Sequence, residues 1–377
     1  MTLRININPQ VLRWAAQRTG LSPADLSKKA HLHHLQAWLS GEKEPTMRQA
    51  EALAAAARIP FGYLLLDEPT EDTVNLPDFR TLNSRQISRI SPDLRDVINE
   101  SSRRLSWYTE YAAEVGIDAP RLLGSAKLSE SPEQAAEIAA TNLEWSAGTR
   151  KSGREAVAIL AESIEDAGVL VMRNSIVGNN AHRPLSIEEF RGFTLVEDGF
   201  PLIFVNTSDA KTAQLFSLAH ELGHVALGKP GISGDEEDGH QVERWCNLFA
   251  AELLLPRAQI IDRFSDREDL SLFIEEQSRA YGASREAVIW RLVDLGKIGR
   301  TEAEKLVSSL PAIRDIRRGG GGDFRYTTRT RLGRRFLGAV TEAAVSGDLP
   351  QRDAARFLGV RKSKAFRNLV DFTLEAA

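Results

Sequence analysis

The chain has 377 residues, 42% hydrophobic and 27% charged, with 27 Gly and 15 Pro, enough for two or three folded domains and excluding a collagen-like or low-complexity chain. Its one cysteine, Cys246, excludes an internal disulfide framework. The net charge of −4 is uneven, with +4 on residues 1–66, +7 on 311–377 and −15 between them, so a polyanion would be gripped at the ends and repelled by the middle.

No apolar run approaches the roughly 18–20 residues that span a bilayer, and the first twenty residues lack an apolar core with a cleavage site. A cytoplasmic protein without membrane association is therefore expected. In chain order, Asn8 and Pro9 cap and open a helix running to about Arg18, and Ser22, Pro23 and Asp25 start a second. A third is expected over His31 to Ser40 before Gly41, Thr46 with Gln49 forms a capping box for a fourth, and Pro60 opens a short fifth. Several short helices in about 60 residues, two of them joined near Ala30, suit a helix-turn-helix domain. His31, His33 and His34 cluster, but on one helix only an i, i+3 pair approaches a shared face, which disfavours a metal there.

Residues 21–60 resemble the XRE (Cro/cI-like) helix-turn-helix family in the second and third helices, the Trp38–Gly41 exit and the Pro45-Thr46 start of the fourth. That resemblance implies a helix in the DNA major groove with His33, His34, Gln36 and Ala37 facing base edges, and Leu35 and Trp38 in the core. Where the family usually has a turn glycine, this chain has Ala30-His31. A protein–protein module on the same scaffold is the alternative.

Residues 67–79, rich in acid, Pro and Thr, read as a linker. Helices are expected over about 92–115, 132–145 and 155–167, then a strand at 168–172 and two strands within 190–206 that meet at Asp198-Gly199. The next helix carries LAHELGHVALG, 218–228. His220 and His224, four residues apart, lie about 40° apart around a helix and can reach one ion, while Glu221 is placed to take a proton from water activated there. In VERWCNLFAAELLLP, 242–256, Glu243 follows His224 by nineteen residues, and Asn247 one turn on can hydrogen-bond a ligand. Two His and one Glu leave a fourth zinc position open, as a catalytic site requires. Leu227 and Pro230 stand where a metzincin has Gly and His. Cys246 reads as a packing residue, and His240, in an acidic loop, is one candidate to stabilise an oxyanion.

HELGH followed by E-x-x-C-N-x-F-A-A-x-L-L-x-P resembles the ImmA/IrrE metallopeptidase family, with similarity over about 160–300. The resemblance implies zinc on His220, His224 and Glu243, Glu221 as general base, and cleavage or inactivation of a paired repressor.

At the carboxyl end, GGGG at 319–322 reads as a flexible joint before a basic run, and 349–372 as a helix, a Gly359 turn and a second basic helix. Arg361, Lys362 and Lys364 there suggest either an added DNA contact or a helical cap held on the acidic middle by charge. The expected architecture is mainly α with a small α+β domain: a helix-turn-helix domain at 1–66, a linker and helical region at 67–150, a zincin-like metallopeptidase domain with a small β-sheet at 151–300, and a basic helical region at 301–377.

The function expected is a DNA-binding transcriptional regulator with a zinc endopeptidase domain. Its partners would be double-stranded operator DNA, read in paired half-sites as a homodimer, and a protein substrate such as a repressor or toxin. The rival is a non-hydrolytic repressor or antitoxin-like protein with a structural or vestigial metal site. A third reading is a peptidase whose helix-turn-helix only recruits protein substrate.

Overall fold

A computed structural model describes residues 4–70, 90–148, 153–229, 231–233, 240–264, 269–310 and 323–375. Linker residues 71–79 and the glycines 319–322 lie outside the described residues. Residues 4–70 and 90–100 form one compact unit, and 101–375 another.

The first unit contains α1 (Pro9–Arg18), α2 (Pro23–Ser27), α3 (Leu35–Leu39), α4 (Met47–Ala57) and a 3₁₀ turn at Phe61–Leu65. The start signals act as the sequence implies. Asn8 Oδ1 accepts the Gln10 N–H at 2.8 Å, Ser22 Oγ accepts that of Asp25 at 3.1 Å, and the Thr46–Gln49 capping box is formed. Leu12, Leu26, Leu35, Trp38 and Leu53 are buried together. The third helix is shorter than expected and begins at Leu35, not His31. His31 has φ 69°, a left-handed conformation that breaks a right-handed helix and that glycine adopts with less strain. His33 and His34 consequently lie in the turn before α3, exposed like Gln36, while Ala37 is half-buried.

Helix α5 spans Pro92–Val115. There follow α6 (Pro132–Asn142), α7 (Gly153–Asp166), β1 (Leu170–Asn174), β2 (Gly192–Glu197), β3 (Phe200–Asn206), α8 (Lys211–Leu227), β4 (Gly231–Ser233) and α9 (His240–Leu254). Helix α6 stops before Trp145, with Glu144 at φ 51° turning the chain, and β1 starts two residues later than Gly168. Asp198 and Gly199, at φ 45° and 84°, close the β2–β3 hairpin as the paired positive φ of a tight turn requires. The sheet order is β1-β3-β2-β4, with β1 parallel to β3 and the other pairs antiparallel. Val171, Ile203 and Val205 share a core with Leu215, Leu218, Leu222 and Val225 of α8, and α9 contributes Trp245 and Phe249. Residues 217–227 of α8 are buried all round, so its polar side chains lie in the domain interior.

Helices α10 (Arg257–Arg263), α11 (Leu270–Tyr281), α12 (Arg285–Asp294) and α13 (Arg300–Ser309) complete this layer. The carboxyl end folds as α14 (Phe324–Leu332), α15 (Arg334–Ser346), α16 (Gln351–Phe357) and α17 (Ser363–Leu374), so the fold is mainly α with one small sheet. Arg329 pairs with Glu162 at 3.2 Å and Arg334 pairs with Asp166. Arg335 donates its backbone N–H to Glu165 Oε1 at 2.9 Å. These contacts fix α14 and the start of α15 on α7, the charge-complementary docking considered above.

Burial pushes the Glu165 carboxyl up to about 7, against the opposing hydrogen bonds from Arg335 and Arg334. A carboxyl whose pKa is raised by folding contributes its stability below the unfolded value near 4.5 and loses it as pH rises through about 7. Glu165→Gln, which cannot ionise, is expected to match the wild type at pH 4 and to exceed it by about 3 kcal/mol at pH 8 in denaturant titrations. An equal difference at both pH values would refute this assignment.

Candidate metal centre

The centre is built from the end of α8 and the start of α9. Gly228, at φ 63°, ends α8 in a left-handed cap, and the Lys229 N–H returns to the His224 carbonyl at 3.0 Å. The same turn brings the Lys229 carbonyl to 3.1 Å from His224 Nδ1. Nδ1–H donates there, which leaves Nε2 with its lone pair directed inward. Asn247 Oδ1 does the same for His220, accepting from Nδ1 at 3.0 Å. Gly223 permits the close approach of the two helices, because a Cβ there would stand 3.2 Å from Cys246 Cα, Cβ and Sγ.

The expected ligands are brought together. His220 Nε2 is 3.2 Å from Glu243 Oε2, His224 Nε2 is 3.2 Å from Glu243 Oε1, and the two rings are 5.1 Å apart. Both Nε2 atoms are buried with no hydrogen bond. Buried polar nitrogens without partners are costly in a protein interior. Two imidazoles and a carboxylate converging on one point fit a divalent cation, with the donor set of a zinc site that keeps a further position open. Burial works to raise the Glu243 carboxyl, but where the imidazoles of His220 and His224 are protonated their positive charge prevails and holds it at about 2.

Glu221 is buried, and its Oε2 accepts a hydrogen bond from Thr194 Oγ1 at 2.8 Å. Gly192, two residues earlier on β2, leaves room for this carboxylate, since a Cβ there would stand 2.7 Å from Glu221 Oε1. Sequence reading missed Thr194 and the Lys229 carbonyl. The signal for Thr194 was strand periodicity, which puts residues 192 and 194 on one face of β2. Cys246 packs against Gly223, and a ligand atom on each of His220, His224 and Cys246 lies within 4.8 Å of the others, while burial pushes its thiol pKa up. Residues 234–239 lie outside the described residues, and His240 enters only as the first residue of α9. The exposed His33, His34 and Gln36, with Ala37, belong to the first unit and take no part in this centre.

Asn247→Ala is expected to leave the fold intact and to weaken metal affinity about 10- to 100-fold, because His220 loses the acceptor that sets its tautomer. A chelator competition titration with unchanged affinity would remove that role from Asn247.

Comparison with known proteins finds similarity over the segment that carries this centre. The family model described as the IrrE N-terminal-like domain (Peptidase_M78) matches residues 164–293, and a domain of unknown function (DUF8813) matches 332–372. The chain is similar to the radiation response metalloprotease IrrE of Deinococcus radiodurans, with 34% identity over 74 residues, 17% of this chain and 23% of that protein. The match thus spans under a quarter of the relative's length. Residues 164–293 thus resemble an IrrE-like metallopeptidase domain. Among the described residues, no helix is long and apolar enough to cross a membrane.

Proposed function

We propose that this chain is a cytoplasmic DNA-binding regulator whose second unit is a zinc-dependent endopeptidase that cleaves or senses a partner protein such as a repressor or toxin. The observation that carries the proposal is the pair of buried, unpartnered Nε2 atoms of His220 and His224 facing the Glu243 carboxylate. When bound, zinc supplies Lewis acidity that polarises a carbonyl and acidifies water. His220, His224 and Glu243 would hold the ion. The Lys229 carbonyl and Asn247 orient the two imidazoles. Glu221, positioned by the Thr194 hydroxyl, accepts the proton of the attacking water and returns it to the leaving amine.

The first unit supports DNA binding through its run of short capped helices and the exposed His33, His34 and Gln36 at the start of α3. A homodimer reading paired half-sites suits such a unit. One observation favours the non-hydrolytic reading, namely the complete burial of Glu221 against Thr194. Incubating the zinc-loaded protein with repressors encoded beside its gene distinguishes the two. Cleavage that requires Glu221 supports the peptidase, and an intact set of partners bound equally by wild type and Glu221→Gln supports the rival. In the same preparation, a shift of the protein's own upstream DNA at moderate salt, lost on replacing His33, His34 and Gln36 with Ala, supports the regulator. No shift would favour recruitment of protein substrate instead.

A further inference from the structure

Apart from Arg325 and Arg352, which pair locally with Asp323 and Asp353, the described basic residues of the carboxyl end fall into two sets. The first is consumed in docking: Arg329 and Arg334 pair with Glu162 and Asp166, Arg335 binds Glu165 and Tyr108, and Arg331 donates to the Leu358 carbonyl at 2.9 Å. The second set, Arg356, Arg361, Lys362, Lys364 and Arg367, is exposed and makes no ion pair among the described residues. All five lie on α16, on α17 or in the turn between them. Domain docking therefore accounts for only part of the positive charge.

The backbone around the second set has a specific form. Helix α15 packs against both α16 and α17, so the three make a small bundle. Gly359, at φ 67°, turns the chain between the last two helices, and Leu358 and Val360 on either side of it are buried. Phe366, Leu369 and Phe372 secure the inner face of α17. Its outer face is electrically graded. Arg361 and Lys362 precede the helix and Lys364 and Arg367 occupy its first half, whereas the exposed acids Asp371 and Glu375 stand at the far end. The positive end of the helix macrodipole coincides with the four cations. A short helix, a glycine turn, and a second helix offering cations at its amino end is the arrangement that inserts into a major groove between two phosphate rails.

We propose that residues 334–374 form a second helix-turn-helix, which grips duplex DNA by its phosphates through Arg361, Lys362, Lys364 and Arg367. The inference does not rest on DNA binding by the first unit. It assigns a polyanion ligand to the segment that a domain of unknown function matches.

The test is fluorescence anisotropy of the full-length, zinc-loaded protein with a 30-base-pair duplex of arbitrary sequence, across a salt series. Replacing the four cations together with Gln is expected to weaken binding at low salt at least about tenfold. It should also make the slope of log Kobs against log salt shallower by about 2 to 4, at about 0.9 for each phosphate no longer neutralised. Exchanging Arg361 and Arg367 for Lys preserves the charges and should preserve the slope. A control with equal loss of charge, Gln at Arg121, Lys127, Arg300 and Lys305, should leave affinity and slope at wild-type values. An unchanged slope in the patch variant would overturn the proposal, and so would an equal loss in the control. An equal loss on a single-stranded oligonucleotide would overturn the duplex assignment. Failure of the first unit's DNA reading is seen separately, through the His33, His34 and Gln36 variant.

Discussion

Glu221→Gln is expected to lower kcat for partner cleavage by about 10²- to 10⁴-fold while zinc content stays at the wild-type level. The reason lies in the division of labour along α8. The proposed metal donors are His220, His224 and Glu243, whose nitrogens and oxygens already face one another, and none of these contacts involves the Glu221 side chain. Gln keeps the size of the side chain and can still accept the Thr194 hydrogen bond through its carbonyl oxygen, so packing on Gly192 and β2 is retained. What it loses is the capacity to take a proton. Thr194→Val gives a useful contrast, because it removes a hydroxyl that hydrogen-bonds Glu221 and leaves the carboxylate itself in place. Its cleavage rate should fall between those of wild type and Glu221→Gln. A Glu221→Gln variant that cleaves at the wild-type rate, measured by single-turnover assay, would transfer the proton-accepting role to another residue.

Arg291→Met is expected to destabilise the second unit by about 3–5 kcal/mol. Arg291 and Glu252 are both buried, and they pair across the α12–α9 packing. Arg291 Nε also donates to the Leu255 carbonyl at 3.0 Å, and Glu252 Oε1 accepts the backbone N–H of Arg257 at 2.9 Å. Methionine fills much of the volume but leaves the Glu252 charge in the interior without its cation, which is the costly way to break such a pair. The double variant Arg291→Met, Glu252→Leu removes both charges and should recover much of the loss. Urea titrations of the two variants check this, and a single variant as stable as wild type would show that the pair contributes nothing.

The parts of the fold legible in sequence were those decided by local chemistry. Asn8, Ser22, Thr46 with Gln49, and Asp198-Gly199 each act within a few residues of themselves, and each has the structural effect expected of it. The His220, His224 and Glu243 convergence was legible for a related reason, since helical spacing puts the two His on one face and a second helix supplies the acid. The start of α3 was misplaced because helical periodicity over His31–Ser40 outweighed the turn position at Ala30-His31, where the resembled family usually has glycine and where His31 takes a left-handed turn. The partition of the carboxyl-terminal arginines was not legible, because it depends on the position of α7 in space: Arg334 and Arg361 read alike until Asp166 is found beside one of them. Thr194 and the Lys229 carbonyl were hidden because each serves the site through a contact distant in sequence or through the main chain.

The centre assembled by α8 and α9 is most directly tested by the metal content of the purified chain, wild type beside His220→Ala, determined by elemental analysis. About one zinc per chain in the wild type, lost in the variant, is the predicted result. A wild type without zinc after zinc loading, or a His220→Ala variant that retains it fully, would contradict the site.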